Sequence, residues 1–444
     1  MFLLLNDIRG AGPAGAHLLE ELMVRPVTVK RFTVRRFTVR RFTPRLRSCA
    51  SVAVATAAFL FLAFPSPAPK AGASTGGGPI HTVFQILLEN ESESSTFPGK
   101  GTELDKLAQQ GVFFTNYFGT GHASLDNYIA LLSGQAQYTS TSQDCPYYHD
   151  GGGSVDSRGF YVPLTPQDVG CVYPAAVKTL ADQMSAAHLV WRGYMQDMGN
   201  TPTRETNPCG QPAAGGVAID PTVGGLDQTQ LATSSDQYAA RHNPFPYFHS
   251  LIDKPLLGAP SPCDQNVVPL SKLAADLASG NVGAFNFITP NLCNDGHDSP
   301  CKGPGADANP GAGGLVSANA FLAQIVPEIQ ASSVYKKGGV IVITVDEGGD
   351  NSSCCGESGQ PGIQSTGGGG QVGLVALSSR LTPHTSTCQY NHYSLLRTWE
   401  TLFGLTPQVT GIAGSDGAGH LAHAGDPGVS SMLGDLLAGS DQCA

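Results

Sequence analysis

Gly339-Val-Ile-Val-Ile-Thr-Val-Asp-Glu-Gly-Gly-Asp350 is an unbroken apolar run that stops at two adjacent carboxylates and then glycines. Val340, Ile341, Val342, Ile343 and Val345 show no alternation and are β-branched, which predicts a strand buried on both faces of a parallel sheet. Asp346 and Glu347 then fall at its carboxyl end, where open α/β sheets hold their ligands. Thr82-Val-Phe-Gln-Ile-Leu-Leu88 repeats the design and runs into Glu89-Asn90. Two buried strands are thus expected to deliver three carboxylates and an amide to one edge.

Outward from these strands the chain alternates helix and strand patterns. Helices are expected over 103–110, 124–132, 175–187, 270–277, 315–330 and 392–403. Further strands are expected over 112–118, 189–195, 284–289 and 372–377. The order indicates βαβ units, hence an α/β fold with a mainly parallel central sheet flanked by helices on both faces. Long polar, Gly/Pro-rich excursions interrupt it near 135–173 and 199–265 within one domain spanning 74–444.

Residues 1–73 read as a leader outside that domain. The repeat Arg31-Phe-Thr-Val-Arg35-Arg36-Phe-Thr-Val-Arg40-Arg41-Phe-Thr-Pro-Arg45 precedes an apolar stretch from Cys49 to Phe64 and a small-residue site at Ala71-Gly72-Ala73. That order is a secretory signal, too short in its apolar part for a stable membrane span. The leader holds 11 of the 25 basic and 3 of the 35 acidic residues, so the body keeps 14 against 32, a formal −18. Such a body excludes nonspecific nucleic-acid binding and obliges any anionic substrate to meet a local positive centre. The ten cysteines beyond Cys49 read as disulfides of an exported protein. Expected pairs are Cys145 with Cys171, Cys293 with Cys301, and Cys354 or Cys355 with Cys388.

Glu89, Asn90, Asp346 and Glu347 offer hard oxygen donors for Mg²⁺, Ca²⁺ or Mn²⁺, and acceptably for Zn²⁺. Gly121-His-Ala-Ser-Leu-Asp-Asn-Tyr128 opens a helix. There Ser124 suits an N-cap with Asn127 at N3, or a metal-activated nucleophile at a helix N-terminus. Asn291-Leu-Cys-Asn-Asp-Gly-His-Asp298 follows a strand, with His297 as metal ligand or proton donor and Asp298 as its orienting partner. His392 begins a helix, and His242 lies in an aromatic, proline-rich loop.

Leu88-Glu-Asn-Glu-Ser92, Gly121-His-Ala-Ser-Leu-Asp-Asn-Tyr128, Tyr238-Ala-Ala-Arg-His-Asn-Pro244, Asn291 to Asp298, Thr344-Val-Asp-Glu-Gly348 and Asn391-His-Tyr-Ser-Leu-Leu-Arg397 together resemble the bacterial phosphoesterase family of phospholipases C and secreted acid phosphatases. The resemblance implies an alkaline-phosphatase-like fold and a divalent metal held by Glu89, Asn90, Asp346 and Glu347. Ser124 would be a nucleophile touching that metal, and His122, Asn127, His297, Asp298 and His392 would surround the phosphate, with His242 also facing substrate. The family's Thr-His-Pro-Ser-x-Pro-Asn is here Gly121-His-Ala-Ser-Leu-Asp-Asn127, without either proline. The implied function is a secreted, metal-dependent acid phosphatase acting on small phosphate monoesters through a phosphoserine, with an imidazolium at His297 or His392 protonating the leaving alcohol. Two alternatives remain: a phospholipase C-type phosphodiesterase acting on phospholipid head groups, and an inactive exported binding protein with a structural cation site. The Ser124 setting lacks the modified-residue motif of sulfatases. No protein partner is implied.

Overall fold

The computed structural model describes residues 80–164, 170–215, 226–255, 258–301, 313–357 and 368–443. The expected leader and cleavage site lie outside them. The central sheet is built from β1 (Thr82–Leu88), β2 (Val112–Phe114), β3 (Trp191–Met195), β4 (Val267–Pro269), β5 (Phe285–Thr289), β6 (Gly339–Val345), β7 (Leu374–Leu377) and β8 (His384–Ser386). Their spatial order is β8-β2-β7-β6-β1-β5-β3-β4. The main helices are α1 (Glu103–Gln110), α2 (Ser124–Ser133), α3 (Leu180–Ala186), α4 (Leu273–Ser279), α5 (Gly314–Ala331) and α6 (His392–Leu402).

β1 and β6 occupy the middle of the sheet, and all seven residues of each are buried. Every fully buried Val, Leu, Ile or Phe there contributes about 1.5–3 kcal/mol, which is why the two longest apolar runs take the two central places. β1 pairs in parallel with both β6 and β5. Among the sheet's pairings only those of β7, with β6 and β2, are antiparallel, so the mainly parallel α/β architecture stands. The one polar residue inside β1, apart from Thr82 at its start, is Gln85, whose side-chain oxygen accepts the Trp399 Nε1–H of α6 at 2.8 Å.

Several boundaries differ from expectation for local reasons. The 112–118 strand is two strands, Val112–Phe114 in the main sheet and Tyr117–Phe118 paired with Tyr390–Asn391. The helix expected from 175 starts only at Leu180, because Thr179 and Asp182 form a reciprocal cap there. The long excursion at 135–173 is ordered by an aromatic cluster, Tyr138, Tyr161 and Tyr173, with Tyr173 stacked on Phe248 at 5.0 Å.

Cys145–Cys171 and Cys293–Cys301 pair as expected, and Cys209–Cys263 is a further bridge. Neither Cys354 nor Cys355 reaches Cys388. Those two pair with each other, and Cys388 takes Cys443. The chain end is drawn there by Asp435, which accepts hydrogen bonds from the hydroxyls of Ser386 (2.6 Å) and Tyr390 (3.2 Å).

Glu400 of α6 is buried and accepts the Leu421 N–H at 2.9 Å. Burial pushes its carboxyl up to about 8. The folded state therefore prefers the protonated acid. Its contribution is complete below the ordinary carboxyl range and is lost as pH climbs through about 8. Melting temperature is expected to fall between pH 5 and pH 8, and Glu400→Gln, which keeps the acceptor, should flatten that slope in a thermal-melt series. An unchanged slope would remove Glu400 as a cause.

Candidate active site

The parallel register sets Leu88 beside Val345, so the first residues beyond each strand, Glu89 and Asp346, emerge together. Asn90 has φ +56°, a left-handed turn that asparagine tolerates. That turn lets its backbone N–H donate to Asp346 Oδ1 at 2.8 Å, while Glu347 N–H donates to the same oxygen at 2.6 Å. The Asn90 side-chain amide donates to Glu89 Oε1 at 2.9 Å.

Ser124 is delivered by α2. The N-cap is Ala123, not Ser124, so the hydroxyl is not spent on capping and instead donates to Glu89 Oε1. Asn127, expected at the phosphate, is used otherwise. Its side-chain oxygen accepts the N–H groups of Thr120 (2.8 Å) and Gly121 (3.1 Å), and its amide donates to the carbonyls of Gly121 and Ala123, both at 3.0 Å. Both amide hydrogens are occupied, so Asn127 shapes the loop that presents Ser124. In the same loop a Cβ on Gly121 would lie 2.3 Å from Asp126 Oδ1. A side chain at 121 would therefore have to displace the Asp126 carboxylate.

The histidines separate into different roles. His392 is buried, with Nε2 donating to the Asp346 carbonyl at 2.6 Å and Nδ1 facing the Tyr117 hydroxyl at 2.9 Å. Burial lowers its pKa to about 4. Both ring nitrogens are engaged and the ring is held neutral, so it fixes the Asp346 backbone and is not the imidazolium expected of it. His297 is exposed, and only its backbone N–H bonds inward, to Asp295 Oδ1 at 3.1 Å. From this segment Asp295 is buried in the site, and Asp298 is half-buried, near enough for its charge to act on Asp295 and Arg241. His242 is buried, stacked on Tyr128 at 5.3 Å, with Nε2 3.1 Å from Glu89 Oε2 and Nδ1 3.7 Å from Asp295 Oδ2. His122 stands at the rim, partly exposed, with Nδ1 3.6 Å from Glu347 Oε2.

Charge is crowded here. Burial, then the Glu89 charge, raises Asp346 well above the ordinary carboxylate range and Glu347 to about 8. Burial also raises Asp295, to about 7, against the pull of His242. Burial opposes ionisation of Glu89 as well, yet His242 and the Ser124 hydrogen bond hold it at about 2. Asp346 Oδ2 and Glu347 Oε2 are buried without a hydrogen-bond partner, and Glu89 Oε2 faces the His242 ring. Glu89, Asp346 and Glu347 each offer an oxygen within 4.8 Å of the others, and Glu89, His242 and Asp295 form a second such trio. Buried anions are tolerated together when a cation lies among them, and this donor set is the hard-oxygen kind that divalent ions take.

Several known proteins are similar to this chain. A phosphate-repressible acid phosphatase of Penicillium chrysogenum is 23% identical over 245 residues, 55% of this chain and 43% of that one. An acid phosphatase of Aspergillus fumigatus is 22% identical over 50% of this chain and 38% of that one, so the chain spans less than half the length of these relatives. A phosphatidylinositol-3-phosphatase of Mycobacterium tuberculosis is 21% identical over 79% of this chain and 86% of that one. Among solved structures, an alkaline phosphatase superfamily protein of Vibrio parahaemolyticus superposes with a TM-score of 0.40 at 12% identity, covering 80% of this chain and 72% of that one. The model of the phosphoesterase family matches residues 95–406, a span that takes in the Ser124 loop, His242, Asp295, the β6 carboxylates and His392. By that match, over most of its length, the chain belongs to the phosphoesterase family.

Proposed function

We propose that the protein is an exported, metal-dependent phosphomonoesterase of the acid phosphatase kind. The observation that carries this reading is the Ser124 hydroxyl donating to Glu89, inside a group of three buried carboxylates that each offer an oxygen within 4.8 Å of the others. Glu89, Asn90, Asp346 and Glu347 would hold the ion, with Ser124 beside it. A divalent cation there supplies charge for the phosphoryl oxygens and favours the alkoxide form of a neighbouring hydroxyl.

The remaining steps fall to the chain's own groups. Ser124 Oγ attacks phosphorus in line as the bond to the leaving alcohol breaks, giving a phosphoserine that water then cleaves. Its proton has an acceptor in place, because Glu89 already takes the hydrogen bond. His242, between Glu89 and Asp295, holds Glu89 in its ionised form. His122 stands at the rim beside Glu347 and is placed to pass a proton to the leaving alcohol. Export is supported by the five cysteine pairs. No helix of the described residues is long and apolar enough to cross a membrane.

Nitrophenyl phosphate and nitrophenyl phosphorylcholine, assayed with and without a chelator, test the reading. Hydrolysis of the monoester at acid pH, lost on chelation with unchanged circular dichroism, is expected. Turnover of the diester alone would make the protein a phospholipase C-type enzyme. A bound cation with no turnover of either would leave a binding protein.

A further inference from the structure

We propose that Arg241 is a further substrate-binding residue whose guanidinium takes a terminal oxygen of the phosphate, which rests on the phosphomonoesterase reading. The body of the chain is strongly acidic, so an arriving phosphate needs a cationic side chain as well as an ion. Among the segments that carry the family resemblance, Arg241 and Arg397 are the only lysine or arginine residues. Arg397 is spent elsewhere: its Nη1 donates to the Ala424 carbonyl at 2.8 Å and lies 3.7 Å from Asp416 Oδ2. Arg241 is what remains.

Both long excursions build a socket for it. The Arg241 side chain is 14% exposed, with Nε 3.9 Å from Asp144 Oδ2 and Nη1 donating to the Gln230 carbonyl at 3.1 Å. Gln230 also donates from Nε2 to the Asp144 carbonyl at 2.9 Å, and Asp144 precedes Cys145 of the Cys145–Cys171 bridge. One edge of the guanidinium is thereby held. Nη2 makes no hydrogen bond among the described residues and is left for a ligand.

The socket borders the same carboxylates as Ser124. Asp144 Oδ1 accepts the N–H of Leu125, the residue after Ser124, at 2.9 Å, and the Asp144 charge acts on both Glu89 and Glu347. From the other side, His242, the next residue after Arg241, reaches Glu89 Oε2 at 3.1 Å. The guanidinium charge acts on Glu89 and Tyr128, and those of Asp295 and Asp298 act on it. A guanidinium edge matches the terminal oxygens of a phosphate, and its charge is permanent. Asp144 is then a competitor, a fixed anion beside the cation that the phosphate must share. Removing the cation and removing its counter-charge should therefore move phosphate affinity in opposite directions.

Calorimetric titration with inorganic phosphate, in excess Mg²⁺ or Ca²⁺, tests this without turnover. Arg241→Met should weaken phosphate binding at least about tenfold and lower kcat/KM on nitrophenyl phosphate by a similar factor, mainly through KM. Asp144→Asn keeps the oxygen that accepts the Leu125 N–H and should tighten phosphate binding about two- to fivefold. Arg241→Met within about twofold of wild type would overturn the proposal. So would unchanged or weakened binding in Asp144→Asn, because Arg241 would then act only by propping Asp144, and so would a wild type that binds no phosphate. If circular dichroism shows that Arg241→Met does not fold, the sign of the Asp144→Asn change decides alone. Arg241-dependent phosphate binding in a wild type that hydrolyses no ester would instead defeat the phosphomonoesterase reading and leave the anion site standing.

Discussion

Ser124→Ala is expected to lower kcat on nitrophenyl phosphate by at least about 10³-fold, because it deletes the atom that would bond to phosphorus. The fold should survive. Ser124 is the first helical residue and not the cap, and alanine is the best helix former. What the variant does lose is one donor to the buried Glu89, a cost of about 1–2 kcal/mol, since the Asn90 amide still donates to the same oxygen. Turnover, a thermal melt, and acid-quench trapping of phosphoserine check it together. Near-wild-type turnover would show that Ser124 is not the nucleophile.

Asp346→Asn should move stability and activity in opposite directions. Asn keeps the oxygen that accepts the Asn90 and Glu347 N–H groups. It replaces the unpartnered Oδ2 with an NH₂ able to donate to Glu89 or Glu347, the carboxylates crowded against it. Without cation near neutral pH, the variant should be more stable than wild type by about 1–3 kcal/mol, because Asp346 must either bury a second anion beside Glu89 or take up a proton to avoid it, and the amide does neither. With cation in excess the order should reverse, and turnover should fall by at least about 100-fold, since losing a direct ligand costs no less than losing the groups behind it. Melts in chelator and in saturating cation are the measurement. A variant less stable than wild type in chelator would mean that Asp346 carries no unrelieved repulsion.

The sequence disclosed the sheet's centre because burial on both faces writes itself as an unbroken apolar run. β1 and β6 could therefore be bounded to the residue, and the carboxylates at their ends named in advance. Groups whose role depends on spent hydrogen-bond capacity could not be read in this way. Asn127 and His392 have the right chemistry for a phosphate site, yet their polar atoms are consumed by the 120–123 backbone, by Asp346 and by Tyr117. Asp295 went unnoticed because Asn-Asp-Gly-His-Asp offers two acids. The choice between them is made by the Glu89 N–H bond to the Asp295 carbonyl, a contact across more than two hundred positions. The cysteine partners failed for a similar reason, as nothing near Cys388 announces that the chain end returns to it.

None of the ten paired cysteines lies in a strand of the central sheet; every bridge ties a connection or a short peripheral segment. Oxidation therefore does not select this architecture. The hydrophobic centre and the carboxylates at its strand ends can assemble while thiols are still free, and the bridges then set the shape of the surrounding walls. The apolar runs are in that sense what specifies the sheet and its strand-end carboxylates, and the bridges what pins the loops around them.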